Sequence, residues 1–289
     1  MRTIRTVSEL REALAGPRRE GRRIGLVPTM GFFHEGHLSL MRRAREECDE
    51  VVVSLFVNPT QFDEAGDLSV YPRDEQRDAA LAAEAGADLL FAPAADEVYP
   101  PGFATTVSVS GITEPLEGAH RGAAHFDGVT TVVTKLLNVV APDVAYFGQK
   151  DAQQALVIRR VVADLDLETR IEVCPTVREP DGLALSSRNV HLRGHDRERA
   201  LALHRALTAA ESTVARGERD AAVVQAAARA AMDAFGVDPE YLAVVDAQTL
   251  APVEAINGET LVAVAARVGG TRLIDNTLIR TGPSPNGRR

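Results

Sequence analysis

The run Glu50-Val51-Val52-Val53-Ser54-Leu55-Phe56-Val57 limits the fold more than any other stretch of this chain. It is nearly continuous in β-branched and apolar side chains. With no alternation to leave a wet face, it has the pattern of a parallel strand buried on both sides. Parallel strands need long crossovers, usually helices, and the flanking sequence supplies them. Residues 6–15 have helical spacing, with Ser8 as N-cap and Leu10 and Leu14 on one face. A strand at Arg22–Val27 precedes a second helical pattern through Leu38, Met41, Ala44, Arg45 and Cys48. Further on come a helix at Asp74–Ala85 stopped by Gly86, a strand at 88–93, a helix at Asp127–Val140, and a strand at Val144–Phe147. A helix at Ala152–Leu165 and a strand at Arg170–Cys174 complete the series. Residues 96–125, rich in Gly, Pro and Thr, are an excursion with one extended piece at Thr105–Val109. Strands alternating with helices predict an α/β fold, a doubly wound, mostly parallel sheet covered on both faces.

The pattern changes near residue 176. A polar loop, Glu179–Arg193, leads to two Ala-rich helices at about 195–216 and 220–235, then to strands at 241–245, 260–267 and 271–279. Helices followed by strands predict a smaller C-terminal α+β domain. The boundaries are therefore 1–176 for the parallel-sheet domain and 177–280 for the second, with 281–289 a disordered tail rich in Gly, Pro and Arg.

The polar motifs are not scattered. Open parallel sheets bind ligands outside the carboxyl ends of their strands, and each motif follows a strand. Pro28–His37 follows the first, Asn58–Gln61 the second, Gly148–Asp151 the fourth and Pro175–Arg178 the fifth. One crevice can thus collect His34, His37, Asn58, Gln61, Lys150, Asp151 and Arg178. Within Pro28–His37, Gly31 and Gly36 allow close backbone approach, and His34 and His37 lie three apart at a helix N-terminus, which favours anions. The stretch fits phosphoryl or nucleotidyl chemistry of the His-x-Gly-His kind. It also fits an ordinary strand–helix turn, or a zinc pair lacking its third ligand; no Gly-Lys-Ser/Thr follows, which excludes a Walker A loop. Lys150 suits phosphate. Gln61 and Gln154 offer neutral amides to hydroxyls or a carboxylate, and Leu185-Ser186-Ser187-Arg188 offers hydroxyls and a guanidinium to a triphosphate.

Composition narrows the partners. A net charge of −9, aromatics at 4% and no Trp disfavour nucleic acid. No apolar run approaches the roughly 18 residues of a membrane span. The charged N-terminal segment is not a signal peptide, and two distant cysteines suit a reducing compartment, so a cytoplasmic protein is expected.

Taken together, several motifs resemble the pantothenate synthetase (pantoate–β-alanine ligase) family. They are Pro28-Thr29-Met30-Gly31, His34-Glu35-Gly36-His37, Val57-Asn58-Pro59-Thr60-Gln61-Phe62, Tyr71-Pro72-Arg73, and Tyr146-Phe147-Gly148-Gln149-Lys150-Asp151-Ala152-Gln153-Gln154. Pro175-Thr176-Val177-Arg178-Glu179, Asp181-Gly182-Leu183, Leu185-Ser186-Ser187-Arg188-Asn189 and Arg272-Leu273-Ile274-Asp275-Asn276 belong to the same set. The resemblance spans about residues 3–280. It implies a Rossmann-like ATP domain, a C-terminal lid, a homodimer and condensation of pantoate with β-alanine through pantoyl adenylate. It implies ATP held by Met30, Gly31, Phe32, Phe33, His34, Glu35, Gly36 and His37, by Gly148, Gln149, Lys150 and Asp151, and by Val177, Leu185, Ser186, Ser187 and Arg188. The catalytic set it implies is His37, His34, Lys150 and Arg188, with pantoate on Gln61, Gln154 and Asn58. Mg²⁺ would accompany ATP, with Asp78 or Asp151 as the nearby carboxylates. The chain departs from the family at Arg121-Gly122-Ala123-Ala124-His125-Phe126, which is one residue longer and lacks a proline, and at Gln149, where Glu is frequent.

Overall fold

The computed structural model describes residues 1–62, 68 and 71–282. The chain divides into two compact units, Met1–Pro175 and Thr176–Arg289. Most of the expected tail, 283–289, lies outside the described residues.

In the first unit the strands are β1 (Arg2–Ile4), β2 (Ile24–Thr29), β3 (Glu50–Leu55), β4 (Leu89–Phe91), β5 (Val144–Gly148) and β6 (Arg170–Cys174). They form one sheet in the order β1-β4-β3-β2-β5-β6, every pair parallel. Helices α1 (Val7–Arg19), α2 (Glu35–Glu47), α3 (Glu75–Glu84), α4 (Ala95–Val98), α5 (Glu117–Arg121), α6 (Ala123–Val140) and α7 (Ala152–Asp164) connect them. The valine run explains itself in the packing. Val52 joins a core with Leu26, Ala145 and Phe147 of the sheet and with residues of α1, α6 and α7. Val51 and Val53 join a second core, on the opposite face, with Val27, Val144, Tyr146 and residues of α2. The pleat sends successive side chains to opposite faces, so a strand covered on both sides must be apolar at every position. Each fully buried valine contributes about 1.5–3 kcal/mol.

Three local readings differ from the structure. The N-cap of α1 is Thr6, not Ser8: its hydroxyl accepts the Glu9 N–H at 3.2 Å while Glu9 accepts the Thr6 N–H at 3.1 Å. This reciprocal box starts the helix two residues earlier. Strand β1 has no counterpart in the sequence reading; three residues are too few for a period to show. Thr105–Val109, expected as an extended piece, belongs to no strand or sheet. It is tied to α6 through the Val107 N–H, which the Thr131 hydroxyl accepts at 3.0 Å, and the Val107 carbonyl, which accepts from the Thr130 hydroxyl.

The order of strands sets up the site. From β2 the chain steps outward to β3 and β4, then returns to place β5 on the other side of β2. The crevice of a parallel sheet opens at such a reversal, so the segments after β2, β3 and β5 are neighbours.

In the second unit, strands β7 (Pro239–Asp246), β8 (Glu259–Val268) and β9 (Thr271–Arg280) form an antiparallel sheet in that order. Helices α8 (Gly194–Arg199), α9 (Leu201–Ala215) and α10 (Ala221–Asp233) precede them. The single helix expected at 195–216 is divided at Ala200. The core sets Ala206, Ala210 and Ala228 beside Leu203, Leu207 and Met232, against Val262 and Val264 of β8. Small residues let the two helices approach each other and the sheet.

Candidate active site

The backbone after β2 turns sharply, with Gly31 at φ +88° and Phe32 at φ +53°. A left-handed non-glycine residue is costly, and the turn is held from below. The Asp78 carboxylate, 1% exposed near the start of α3, accepts the N–H of Phe32 at 2.6 Å and that of Phe33 at 2.7 Å. Arg77 donates to the Phe33 carbonyl at 3.0 Å and lies 5.4 Å over the Phe32 ring. No motif pointed to this support. Asp78 is therefore engaged with main chain and with Arg77, whose guanidinium lies 3.6 Å from its Oδ1.

Helix α2 then begins with a cap built from two imidazoles. His34 is the N-cap, and its Nδ1 accepts the Gly36 N–H at 3.2 Å. The His37 Nδ1 accepts the His34 N–H at 3.3 Å, and the two rings lie 4.1 Å apart. Bare N–H groups were expected at this helix end; two of them are instead taken by ring nitrogens. A neutral imidazole that accepts at Nδ1 carries its proton on Nε2. Each ring thus keeps one donor, its Nε2–H, after capping the helix. Both rings are held neutral. Burial, then the neighbouring His34 and Lys150, push His37 down to about 3. Burial, then Lys150, push His34 down to about 4.

The segment after β3 folds into a 3-10 turn, Pro59–Gln61, against α6. Asn58, expected on the substrate, is 1% exposed and fully engaged inside the protein. Its Oδ1 accepts from the Tyr99 hydroxyl at 2.8 Å and the Thr60 hydroxyl at 2.9 Å. Its Nδ2 donates to the Gly128 carbonyl at 3.1 Å and to Gln61 Oε1 at 3.0 Å. Gln61 Nε2 in turn reaches Met30 Sδ at 3.2 Å, which joins this turn to the loop after β2. His125 Nδ1 lies 2.9 Å from the Gln61 carbonyl. A side chain at Gly128 would put its Cβ 2.4 Å from the Thr60 carbonyl oxygen and 2.8 Å from the Gln61 nitrogen, so only glycine allows α6 this close.

After β5, a 3-10 turn at Gln149–Asp151 leads into α7. Lys150 Nζ is 3.2 Å from Asp151 Oδ1, and the Lys150 charge acts on both histidines. Gln154 is half-buried on the first turn of α7. Its neighbour Gln153 is buried and structural: Nε2 donates to the carbonyls of Ile112 and Pro115 at 2.9 and 2.8 Å, and Oε1 accepts the Glu117 N–H at 2.9 Å. The first unit therefore gathers Met30, Gly31, Phe32, Phe33, His34, Glu35, Gly36, His37, Gln61, Lys150 and Asp151 by direct contact, by chain continuity or by charge. Among the described residues no cluster of three His, Cys, Asp or Glu side chains could hold a metal.

In the second unit, Val177 and Leu185 are joined by a backbone hydrogen bond of 2.9 Å. Ser186 caps the 3-10 turn Ser187–His191 by accepting the Arg188 N–H at 3.3 Å, and the Arg188 side chain is exposed. Arg178, expected to face an anion, makes a bidentate pair with Asp275 at 2.6 and 3.0 Å and donates to the Gly182 carbonyl at 3.1 Å. Its fork is spent on holding the loop to β9. The departure at Arg121 also resolves: Arg121 Nε pairs with Glu117 at 2.9 Å within α5, and Gly122, φ +80°, ends that helix before α6 begins.

The profile of the family described as pantoate-beta-alanine ligase matches residues 2–278. A pantothenate synthetase of Moorella thermoacetica is 54% identical over 283 residues, which cover 96% of this chain and 99% of that protein. The crystal structure of pantothenate synthetase from Thermus thermophilus superposes with a TM-score of 0.91 at 49% identity, covering 96% of this chain and 99% of that one. The pantoate-beta-alanine ligase of Francisella tularensis, solved with beta-gamma ATP and beta-alanine, gives a TM-score of 0.79 at 35% identity, covering 98% of this chain and 100% of that one.

Proposed function

This chain belongs to the pantoate-beta-alanine ligase family, and from that premise we propose how its residues divide the labour of ATP-dependent joining of pantoate to β-alanine. The reaction has two steps. A pantoate carboxylate oxygen attacks the α-phosphorus of ATP, a bond to the bridging oxygen breaks, and pyrophosphate leaves. The amine of β-alanine then attacks the acyl carbon of pantoyl adenylate, the acyl C–O bond breaks, and AMP leaves.

The observation that carries this reading is the double-histidine cap. Two neutral imidazoles, each keeping an Nε2–H to donate and both within reach of the Lys150 charge, form an array of donors for the charge that grows on the departing pyrophosphate. Donors fixed before the reaction stabilise that charge without reorganising. His37, His34 and Lys150 take the catalytic role, and Arg188 is likewise assigned to the triphosphate. Gly148, Gln149 and Asp151, with Val177, Leu185, Ser186 and Ser187, line the nucleotide through backbone and hydroxyl groups. Gln61 and Gln154 bind pantoate, whose carboxylate and hydroxyls suit neutral amides. Asn58 is assigned to positioning: its amide fixes the orientation of Gln61, so that Gln61 Nε2 points towards Met30.

Mg²⁺ would reach the site with ATP, on phosphate oxygens and water. The donor set fits that arrangement: Asp151 is half-exposed, whereas Asp78 has given its oxygens to the main chain. Asp151 would hold the ion, whose charge offsets that of the phosphates. We also infer a cytoplasmic homodimer. Both cysteines are free and buried, as suits a reducing compartment, and no described helix is long and apolar enough to cross a membrane.

Positional isotope exchange tests the scheme. With Mg²⁺ and pantoate, ATP labelled with ¹⁸O in the β–γ bridge should scramble its label without β-alanine. Because among the described residues no cysteine or serine is paired with a base, no acyl-enzyme is expected. Scrambling that requires β-alanine, with no adenylate trapped by rapid quench, would replace the two-step order with a concerted one.

A further inference from the structure

We propose that Arg197 is a positioning residue for the loop Leu185–Arg188: it holds an acidic turn whose contacts fix both ends of that loop. This rests on the nucleotide role given to the loop above. Residues 177–185 form a hairpin. Arg178 and Ala184 pair antiparallel. The Glu179 N–H donates to the Leu183 carbonyl at 2.8 Å, and the Leu185 N–H to the Val177 carbonyl at 2.9 Å. The turn Glu179-Pro180-Asp181-Gly182 is closed by the Gly182 N–H on the Glu179 carbonyl at 2.8 Å. Gly182, φ +102°, packs so closely on α9 that a Cβ there would lie 2.0 Å from His204 Cδ2. Arg178 ties the first strand of the hairpin to β9, which leaves the two carboxylates of the turn to another partner.

That partner is Arg197 of α8. Its Nη2 donates to Glu179 Oε2 at 2.7 Å and lies 2.8 Å from Asp181 Oδ2. One guanidinium thus neutralises two like charges that the turn sets side by side; without it they repel each other. Asp181 uses its other oxygen within the hairpin, accepting the Leu183 N–H at 3.3 Å. Glu179 uses its other oxygen beyond it. Oε1 accepts from Asn189 Nδ2 at 3.3 Å, and the same Nδ2 donates to the Ala184 carbonyl at 3.0 Å. Both partners are acceptors, so the orientation of the Asn189 amide is fixed. One carboxylate therefore links α8 to the residue that directly follows Arg188. The loop is held at Leu185 by the hairpin and at Asn189 by Glu179, and Ser186, Ser187 and Arg188 lie between these two points. Groups that meet a triphosphate act only if they are placed before it arrives, and Arg197 supplies that placement without touching the ligand.

Steady-state kinetics with ATP and pantoate varied in turn test the role. Arg197→Ala should raise the KM for ATP about tenfold and leave the KM for pantoate within about twofold. A merely structural role would lower the amount of active enzyme, and so the apparent kcat, with both KM values unchanged. Arg197→Lys, which keeps a charge between the carboxylates, should restore most of the ATP affinity. Glu179→Gln approaches the same contacts from the turn, keeps the acceptor for Asn189, and should raise the KM for ATP about threefold. Added to Arg197→Ala it should do no further harm, because the pair is already broken. Arg188→Ala is the reference. If it raises the KM for ATP while Arg197→Ala and Glu179→Gln do not, or if Arg197→Lys is as poor as Arg197→Ala, the positioning role is overturned and the nucleotide reading stands. If Arg188→Ala and Ser187→Ala both leave the KM for ATP unchanged, the nucleotide role of the loop falls, and the inference with it.

Discussion

Asp78 Oδ1 accepts the backbone N–H of Phe33 at 2.7 Å, from a carboxylate that is 1% exposed and 45 residues further along the chain. Its other oxygen accepts the N–H of Phe32 at 2.6 Å. One side chain thus sets the path of the loop that presents both histidines. Asp78→Asn keeps the shape but can accept through one oxygen only, and turns an NH₂ towards the remaining N–H. Hydrogen bonds to a charged group contribute about 1.5–3 kcal/mol, so kcat/KM for ATP should fall about 10- to 100-fold. Steady-state kinetics with saturating pantoate would show this; unchanged ATP kinetics in a folded variant would mean the loop keeps its shape without Asp78.

The two histidines should be silent to pH in the free enzyme over the usual working range. Their protons leave near pH 4 and pH 3, against about 6.5 in an unfolded chain. Long-range ¹H–¹⁵N correlation should show both rings as neutral Nε2–H tautomers from pH 8 down to pH 5. A titration midpoint between pH 6 and 7 for either ring would sink the assignment. The sign for stability follows from linkage. Between pH 6.5 and about 4 the unfolded chain binds protons that the folded one does not, so this contribution is complete above pH 6.5 and is lost as pH falls.

Gly128→Ala sets two effects against each other. In a helix interior alanine is favoured over glycine by about 1 kcal/mol. The new Cβ, however, would sit 2.4 Å from the Thr60 carbonyl oxygen, so the turn carrying Gln61 must move. Overpacking of this kind costs about 1–3 kcal/mol, and the clash should win. The KM for pantoate should rise about tenfold, with a smaller change for ATP. A variant with normal pantoate kinetics and a raised melting temperature would show that the turn yields freely.

Gln61→Ala should weaken pantoate binding while leaving ATP binding nearly intact. The lost bond, to a charged ligand, is worth about 1.5–3 kcal/mol. Titration calorimetry with each ligand alone separates the two. Equal losses would remove Gln61 from the pantoate pocket.

Some of this could be read directly from residue order and some could not. The strands at 50–55 and 144–148 were legible because burial on both faces forces apolar runs. His34, His37 and Lys150 were legible because each follows a strand end, where a parallel sheet opens. Asp78 was not: near the N-terminus of a helix an acidic residue already has a local explanation in the macrodipole, and nothing in the chain announces which distant amides it will meet. The partners of Asn58 and Arg178 were hidden for a related reason. Both lie beside the site in sequence, but the internal acceptors and donors that claim them, Tyr99 and Gly128 for one and Asp275 for the other, come from separate elements. A motif marks which residues gather, while the partners decide which of them remain available.

The adjacent amides of Gln153 and Gln154 carry a consequence for how this chain can change length. Neighbouring positions on a helix point about 100° apart. Gln153 therefore faces inward to the carbonyls of Ile112 and Pro115, while Gln154 stays half-buried at the mouth. Deleting one residue between Lys150 and Gln153 would rotate α7 by that angle relative to the turn before it. Gln154 would then take the inward position of Gln153, Gln153 that of Ala152 and Ala155 that of Gln154, so the amide proposed for pantoate would be lost without either glutamine being replaced. Length variation is tolerable at the N-terminal side of this segment, where Pro100–Phe103 forms an exposed turn, but an insertion or deletion of even one residue at the start of α7 is not equivalent to a point substitution there.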